Sequence, residues 1–238
     1  MSLPVFVHPG PFGGGPVTLS GPEGRHAVSV KRIVAGEQIL LIDGHGTHAT
    51  VTVTATRGKD ELTGEVEEWG VDKQPRPRVT VVQALPKAER SELAVDLATQ
   101  AGADAIVPWQ AERCVAKWTG PKAAKGVAKW EAAAAAAAKQ SRRTRIPEIH
   151  EPLTTGQVAE FIAGRTALVL HEESATPLRE IGLDVDELVL IVGPEGGIGA
   201  DELARLGATT VKLGPEVLRT ASAAMVALSA IGVLTDRW

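Results

Sequence analysis

Three loops hold the residue types most able to do chemistry: "LHEES" after Val169, "GPEGGIG" after Val192 and "LGPEVLRTAS" after Lys212. Around the second, the chain reads "LVLIVGPEGGIGADEL": an apolar run rich in β-branched residues, a glycine turn, then a segment able to open a helix with Asp201 and Glu202 in its first turn. Strand, glycines and helix in that order usually cradle a phosphate, because the amides at a helix N-terminus favour anions. This loop carries Glu195 and no lysine, so a phosphate brought to it meets a carboxylate. GxxxxGK[ST] is absent, and GxGxxG is not matched, with Pro194 following the first glycine. Backbone groups bared by Gly193, Gly196 and Gly197 suit a neutral base and ribose, and the nearby carboxylate suits a ligand with positive charge. S-adenosylmethionine has no phosphate and carries a sulfonium and an ammonium. It fits these residues better than NAD or ATP does.

The elements around these loops fall into two patterns. Residues 1 to about 72 read as mostly β: "QILLIDGHGTHATVTVTAT" contains two strand-like runs separated by glycines, and "ELTGEVEEW" adds a third. Between Pro22 and Val34, Ala27, Val30 and Val34 fall at helical spacing, which predicts one short helix among the strands. "VDKQPRPR", residues 71–78, reads as a linker. Beyond it "VTVVQAL", "ADAIVPW", "TALVLHEE", "LVLIVG" and "TTVKLG" read as strands, alternating with helical "RSELAVDLATQAG", "KWEAAAAAAAKQS", "VAEFIAG", "ADELARLG" and "LRTASAAMVALSAIGVLTD". That alternation predicts an α/β domain with a mostly parallel, doubly covered sheet. In such sheets ligands lie outside the carboxyl ends of the strands, which is where the three loops begin.

Composition narrows the class. A chain of 238 residues with 44% hydrophobic residues is long enough for two modest cores. "MSLPVFVHPG" lacks a basic stretch followed by a long apolar run, and no window approaches the roughly 18 apolar residues of a membrane span, so the expected location is the cytoplasm. Cys114 is the only cysteine, which excludes an intrachain disulfide, and His45 with His48 on a turn make a poor metal site, so no metal is expected. The formal charge of −4 conceals a cationic segment: between Arg113 and Arg145 stand nine basic residues against one acid, Glu131. Concentrated positive charge on an otherwise acidic chain suits a nucleic-acid backbone. The lysines by themselves read first as a solvated helix face, a reading that accounts less well for the tight "SRRTR" cluster. The alanine run from Ala132 to Ala138 reads as a rigid helix presenting Lys139, Arg142 and Arg143 at its end. Trp109 and Trp130 lie in apolar contexts and read as core.

"LIVGPEGGIGADEL" followed by "VKLGPEVLRTASAAMVAL" resembles the two signature segments of the SPOUT methyltransferases, specifically the ribosomal RNA small subunit methyltransferase E family. "VVQALPKAERSELAVDLATQAGADAIVPWQAERCVAKW" resembles the start of that family's catalytic domain, "KQSRRTRIPEI" its basic element, and "GRHAVSVKRIVAGEQILLIDGHG" its PUA-like RNA-binding module. The resemblance implies an N-terminal β-rich PUA-like barrel domain over residues 1–72 and a C-terminal α/β SPOUT domain over 73–238, with a parallel sheet and a trefoil knot. It also implies a homodimer, S-adenosylmethionine as cofactor, and methylation of N3 of a uridine in the decoding region of 16S rRNA, on assembled 30S subunits. The family's cofactor contacts fall on Leu170, His171, Gly193, Glu195, Gly196, Gly197, Leu213, Gly214 and Leu218. Its RNA contacts fall on Arg32, Arg142, Arg143 and Arg145. Many members have Arg where Glu216 stands and Glu where Ala221 stands, so the resemblance brings no catalytic glutamate to that position.

Catalytic roles fall on Arg219, Thr220 and Glu195. Arg219 is either a cationic donor to the uracil carbonyls or a cap for the last loop. Glu195 pairs with an arginine, holds the cofactor ammonium or assists proton removal, and pairing is the reading favoured from sequence. Two rival functions stay open: a SPOUT methyltransferase for another RNA position, and a non-catalytic RNA-binding protein.

Overall fold

The computed structural model of the chain describes residues 3–238; Met1 and Ser2, at the head of the expected first domain, lie outside the described residues. By contact, the chain divides into two compact units. One reaches to Gln74 and takes in Ala138–Ile146, and the other consists of Pro75–Ala137 with Pro147–Trp238.

The first unit is built on a five-stranded sheet. β1 (Val5–Val7) and β2 (Gly15–Leu19) precede α1 (Gly21–Arg25), which runs on into a wider π turn over His26–Val30; β3 (Gln38–Ile42), β4 (Thr47–Arg57) and β5 (Glu61–Val71) follow. The strand order is β1-β3-β4-β5-β2, with β1 parallel to β3 and the other pairs antiparallel. Side chains alternate between the faces of a strand, so "ATVTV" in β4 turns Ala49, Val51 and Val53 to one side. There they close a core with Phe6, Leu19, Ile39, Leu41 and Leu62. The helix expected between Pro22 and Val34 starts at Gly21 and ends at Val30, and Arg32 beyond it takes a left-handed φ of 58°.

The "DGHGTH" turn between β3 and β4 is tied by Asp43, whose Oδ1 accepts the His45 and Thr47 backbone N–H groups at 2.7 and 2.9 Å. Burial pushes the Asp43 carboxyl up, but the hydrogen bonds from Thr47 and His45 outweigh it and hold the group below its ordinary value. The basic element pairs with this turn. Gly46 N–H donates to Thr144 O at 3.2 Å and Ile146 N–H to Gly44 O at 2.9 Å. Those bonds explain why Ala138–Ile146 belongs by contact to the first unit although it follows 63 residues of the second.

In the second unit, with the last turn of α3 counted by contact to the first, strands and helices alternate as expected: β6 (Arg78–Ala84), α2 (Ser91–Gln100), β7 (Ala105–Gln110), α3 (Pro121–Ser141), β8 (Glu148–Ile149), β9 (Leu153–Thr154), α4 (Thr155–Ile162), β10 (Ala167–Leu170), β11 (Glu187–Val192), α5 (Ala200–Leu206), β12 (Thr209–Val211) and α6 (Thr220–Leu234). Every pairing in its sheet is parallel, in the order β12-β10-β11-β6-β7-β8 with β9 also on β7. β6 and β11 are buried along nearly their whole length because both faces are covered. α6 packs on α2 and against β6 and β11, while α4 packs on α5 and β7. The two-residue strands β8 and β9 escaped the sequence reading, being too short to show a period.

Trp109 and Trp130 are fully buried, as read from their apolar contexts, and Trp130 Nε1 donates to Ser91 Oγ at 2.8 Å. In the alanine run Ala134, Ala137 and Ala138 are buried at i, i+3 and i+4 spacing, one face of α3. The helix stops where Arg142 takes a left-handed φ of 58°, with Arg143 N–H closing back on Ala138 O at 2.9 Å. That bond pattern is a helix C-cap in which glycine is the usual residue.

Candidate functional site

A cavity of about 720 Å³ opens in the second unit where the chain leaves β10, β11 and β12. This is the carboxyl edge of the parallel sheet, the position at which open α/β sheets hold ligands. The three loops singled out from sequence meet there. Leu170 and His171 come from the first; Gly193, Glu195, Gly196 and Gly197 from the second; and Leu213, Gly214, Leu218, Arg219 and Thr220 from the third. All eleven cofactor-binding and catalytic residues expected from the sequence therefore line one cavity. The four arginines expected to contact RNA lie in the first unit.

The glycine loop leaves little room for side chains. A Cβ on Gly193 would stand 2.7 Å from Ile198 Cγ1, and one on Gly196 would stand 3.1 Å from the Arg113 Cβ. Gly197 has a φ of 72°, strained for any L-residue with a side chain. The loop thus presents bare backbone to the cavity, and a flat neutral ring with its sugar suits that surface.

Glu195 does not make the expected arginine pair. Its Oε1 accepts the backbone N–H of Lys87 at 3.3 Å, and among the described residues it forms no salt bridge. The loop after β6 brings the Lys87 amide to the carboxylate. The arginine at this loop, Arg113, donates instead from Nη1 to the carbonyl of Gly196 at 3.0 Å. Arg113 was visible in the sequence only as one of nine basic residues, because the contact spans 83 positions and leaves no local pattern.

Arg219 provides the N-cap of α6 through its backbone, whose carbonyl accepts Ser222 N–H at 2.9 Å and Ala223 N–H at 3.0 Å. Its exposed side chain makes no hydrogen bond or ion pair among the described residues. Capping and a free guanidinium at the cavity rim therefore coexist. Thr220 is buried beside it, and its carbonyl accepts Gln83 Nε2 at 3.4 Å. Ala221, also buried, lines the same wall. Cys114 is buried near the loop after β7, and burial pushes its thiol up, against a reactive role.

Of the expected RNA contacts, Arg32 and Arg142 are exposed and Arg143 is half-buried. Arg145 is committed within the unit: its guanidinium donates to the carbonyl of His45 and to that of Asp72 at 2.7 Å. Lys139, expected at the free end of the helix, forms a part-buried ion pair with Glu23 at 2.6 Å. Charge counting could not separate these braced cations from exposed ones.

The RNA methyltransferase domain family matches residues 72–232, and the RNA methyltransferase PUA domain family matches residues 19–67. A ribosomal RNA small subunit methyltransferase E from Mycobacterium bovis is 49% identical to this chain, over 100% of this chain and 94% of its own length. This chain belongs to the ribosomal RNA small subunit methyltransferase E family. Another member, from Bacillus subtilis, is 31% identical, over 92% of this chain and 90% of its own. Among solved structures, the small subunit methyltransferase E of Neisseria gonorrhoeae, bound to S-adenosyl methionine, superposes with a TM-score of 0.89 at 26% identity, covering 98% of each chain. A putative methyltransferase of Legionella pneumophila in complex with the same cofactor has a TM-score of 0.89 at 28% identity over the same shares. The fold is accordingly the expected one, an α/β SPOUT domain with a parallel sheet, preceded in the chain by a β-rich PUA-like domain.

Proposed function

We propose that this member of the small subunit methyltransferase E family methylates N3 of a uridine in the decoding region of 16S rRNA, using S-adenosylmethionine, on assembled 30S subunits. The observation that carries the reading is the cavity at the carboxyl edge of β10, β11 and β12, floored by a glycine loop that holds a carboxylate and no lysine. The bare backbone of Gly193, Gly196 and Gly197 fits an adenosine, and Glu195 fits a cationic ligand. Relatives of the same family bound to S-adenosyl methionine support the assignment. The reading includes a cytoplasmic homodimer, a trefoil knot in the C-terminal part, and a domain boundary between residues 72 and 73. Among the described residues no helix is long and apolar enough to cross a membrane.

When bound, the cofactor supplies a methyl group on a sulfonium for in-line displacement. Leu170, His171, Leu213, Gly214 and Leu218, together with the glycine loop, would hold it. Uridine N3 must lose its proton, and the charge that develops on the O2/O4 edge needs a donor. Arg219, exposed at the rim, is that donor, with Thr220 beside it. Glu195, held by the Lys87 amide, keeps a carboxylate in the cavity wall to hold the cofactor ammonium or take the proton.

Arg32 and Arg142 have the two positive-φ backbones found at non-glycine positions among the described residues. Left-handed geometry costs an arginine about 1 kcal/mol relative to glycine, and such strain concentrates at functional positions. They serve here, with Arg143, as phosphate contacts, which position RNA without choosing the base. Arg142→Gly weakens binding to 30S subunits and lowers the slope of log K against log salt by about one. An unchanged salt slope removes Arg142 from the RNA interface.

The deciding experiment is transfer of labelled methyl from S-adenosylmethionine to 30S subunits lacking uridine-N3 methylation, compared with naked 16S rRNA, followed by mapping of the product. Label on N3 of one decoding-region uridine, favoured in the subunit, supports the proposal. Label elsewhere makes the chain a SPOUT methyltransferase for another position, and absence of cofactor binding makes it a non-catalytic RNA-binding protein.

A further inference from the structure

Behind the glycine loop lies a buried hydrogen-bond chain that the proposed chemistry does not use. Trp109 Nε1 donates to Thr155 Oγ1 at 3.2 Å, the Thr155 hydroxyl donates to Glu202 Oε1 at 2.6 Å, and the backbone N–H of Glu112 donates to the same oxygen at 3.0 Å. Trp109 and Glu202 are fully buried, and Thr155 is 5% exposed. Glu202 Oε2 has no hydrogen-bond partner among the described residues. A buried carboxylate oxygen without a partner is costly. An acid in the first turn of α5 could favour the helix dipole just as well from the surface. What burial adds is the pair of bonds received by Oε1.

Those bonds lead to the cavity. Arg205 stands three residues after Glu202 on the same helix and pairs with the Glu112 side chain, so α5 grips Glu112 through both backbone and side chain. The next residue, Arg113, lines the cavity and donates to the Gly196 carbonyl. Gly196 itself packs against the Arg113 side chain. The glycine loop is thus fastened on one side by the Lys87 amide to Glu195, and on the other by Arg113.

We infer that Glu202 is a positioning residue for the cofactor loop, acting through Glu112 and Arg113 on the carbonyl of Gly196. The inference rests on reading the cavity as the S-adenosylmethionine site. Glu202 touches nothing in the cavity; it fixes where the β7 loop ends and therefore where the guanidinium of Arg113 meets the glycine turn.

The test is a double-mutant cycle on S-adenosylmethionine affinity, measured by calorimetry on the full chain, with thermal melting alongside. Arg113→Ala and Glu202→Ala each weaken binding about tenfold. The double variant is no weaker than either single one, because both changes cut the same path. Glu202→Gln, which keeps an acceptor oxygen, stays within about threefold of the original affinity. Additive losses of about a hundredfold in the double variant, or an unchanged affinity in Glu202→Ala with only a lowered melting temperature, overturn the inference. If Glu202→Ala does not fold, Thr155→Val enters the same cycle, and additivity with Arg113→Ala again overturns it. An unmutated chain that binds no S-adenosylmethionine refutes the cofactor assignment itself, a result distinct from any outcome of the cycle.

Discussion

Replacing Arg237 by alanine lowers the stability of the second unit by about 3–5 kcal/mol and its melting temperature by roughly 10 °C. The side chains of Arg237 and Asp104 are 4% and 3% exposed, with Nη1 2.9 Å from Asp104 Oδ2. The same guanidinium donates to the carbonyls of Pro77 and Gly102, and Asp104 Oδ2 also accepts the Val79 backbone N–H at 2.8 Å. One side chain near the end of the chain therefore pins the start of β6 to the turn before β7. Removing it takes a donor from a buried carboxylate and from two part-buried carbonyls, the costly direction for a buried pair. Arg237→Lys restores only part of the loss, since an ammonium cannot reproduce a planar fork meeting three acceptors. Thermal and urea denaturation measure both variants. A melting temperature within about 2 °C of the original for Arg237→Ala would show that the pair contributes nothing net.

Arg219→Ala has the opposite profile: stability and cofactor affinity hold, and turnover falls about a hundredfold or more. The carbonyl of residue 219 still caps α6, because Ser222 N–H and Ala223 N–H bond to the backbone and not to the guanidinium. No other residue depends on the side chain for a hydrogen bond or ion pair among the described residues. What is removed is a donor at the cavity rim, and loss of one transition-state donor costs on the order of 10²–10³ in turnover. Steady-state kinetics with saturating S-adenosylmethionine, alongside direct cofactor titration, separate the two quantities. A large loss of cofactor affinity with normal turnover at saturation would make Arg219 a binding residue and end its catalytic assignment.

The helices and most strands could be read from the sequence because their cause is local. Alternation in "ATVTV" and apolar runs such as "LVLIV" carry their own period, and the structure sets β4 and β11 on them. The three loops of the site were legible for a related reason: each leaves an apolar strand, and sheet architecture sends such exits to one edge. Arg113, Glu202 and Arg237 were not legible. Their partners lie between 47 and 160 positions away, and nothing near them in the chain marks the meeting. Lys139 and Arg145 show the converse error, since a run of positive charge looks the same whether its members face solvent or are held by Glu23 and the carbonyls of His45 and Asp72.

By itself the sequence determined the class of the longer segments, the three loops that could hold a ligand, and the exclusion of a lysine-bearing phosphate cradle. Period, glycine placement and residue type are written into neighbouring positions, and local sterics act on them directly. Only the tertiary structure decided that Glu195 meets an amide and not an arginine, that the basic element at residues 138–146 belongs by contact with the first unit, and that a buried carboxyl stands behind the glycine loop. Those outcomes depend on which distant strand ends come together, and hydrogen bonds in a closed interior go to whichever partner the packing brings within about 3 Å.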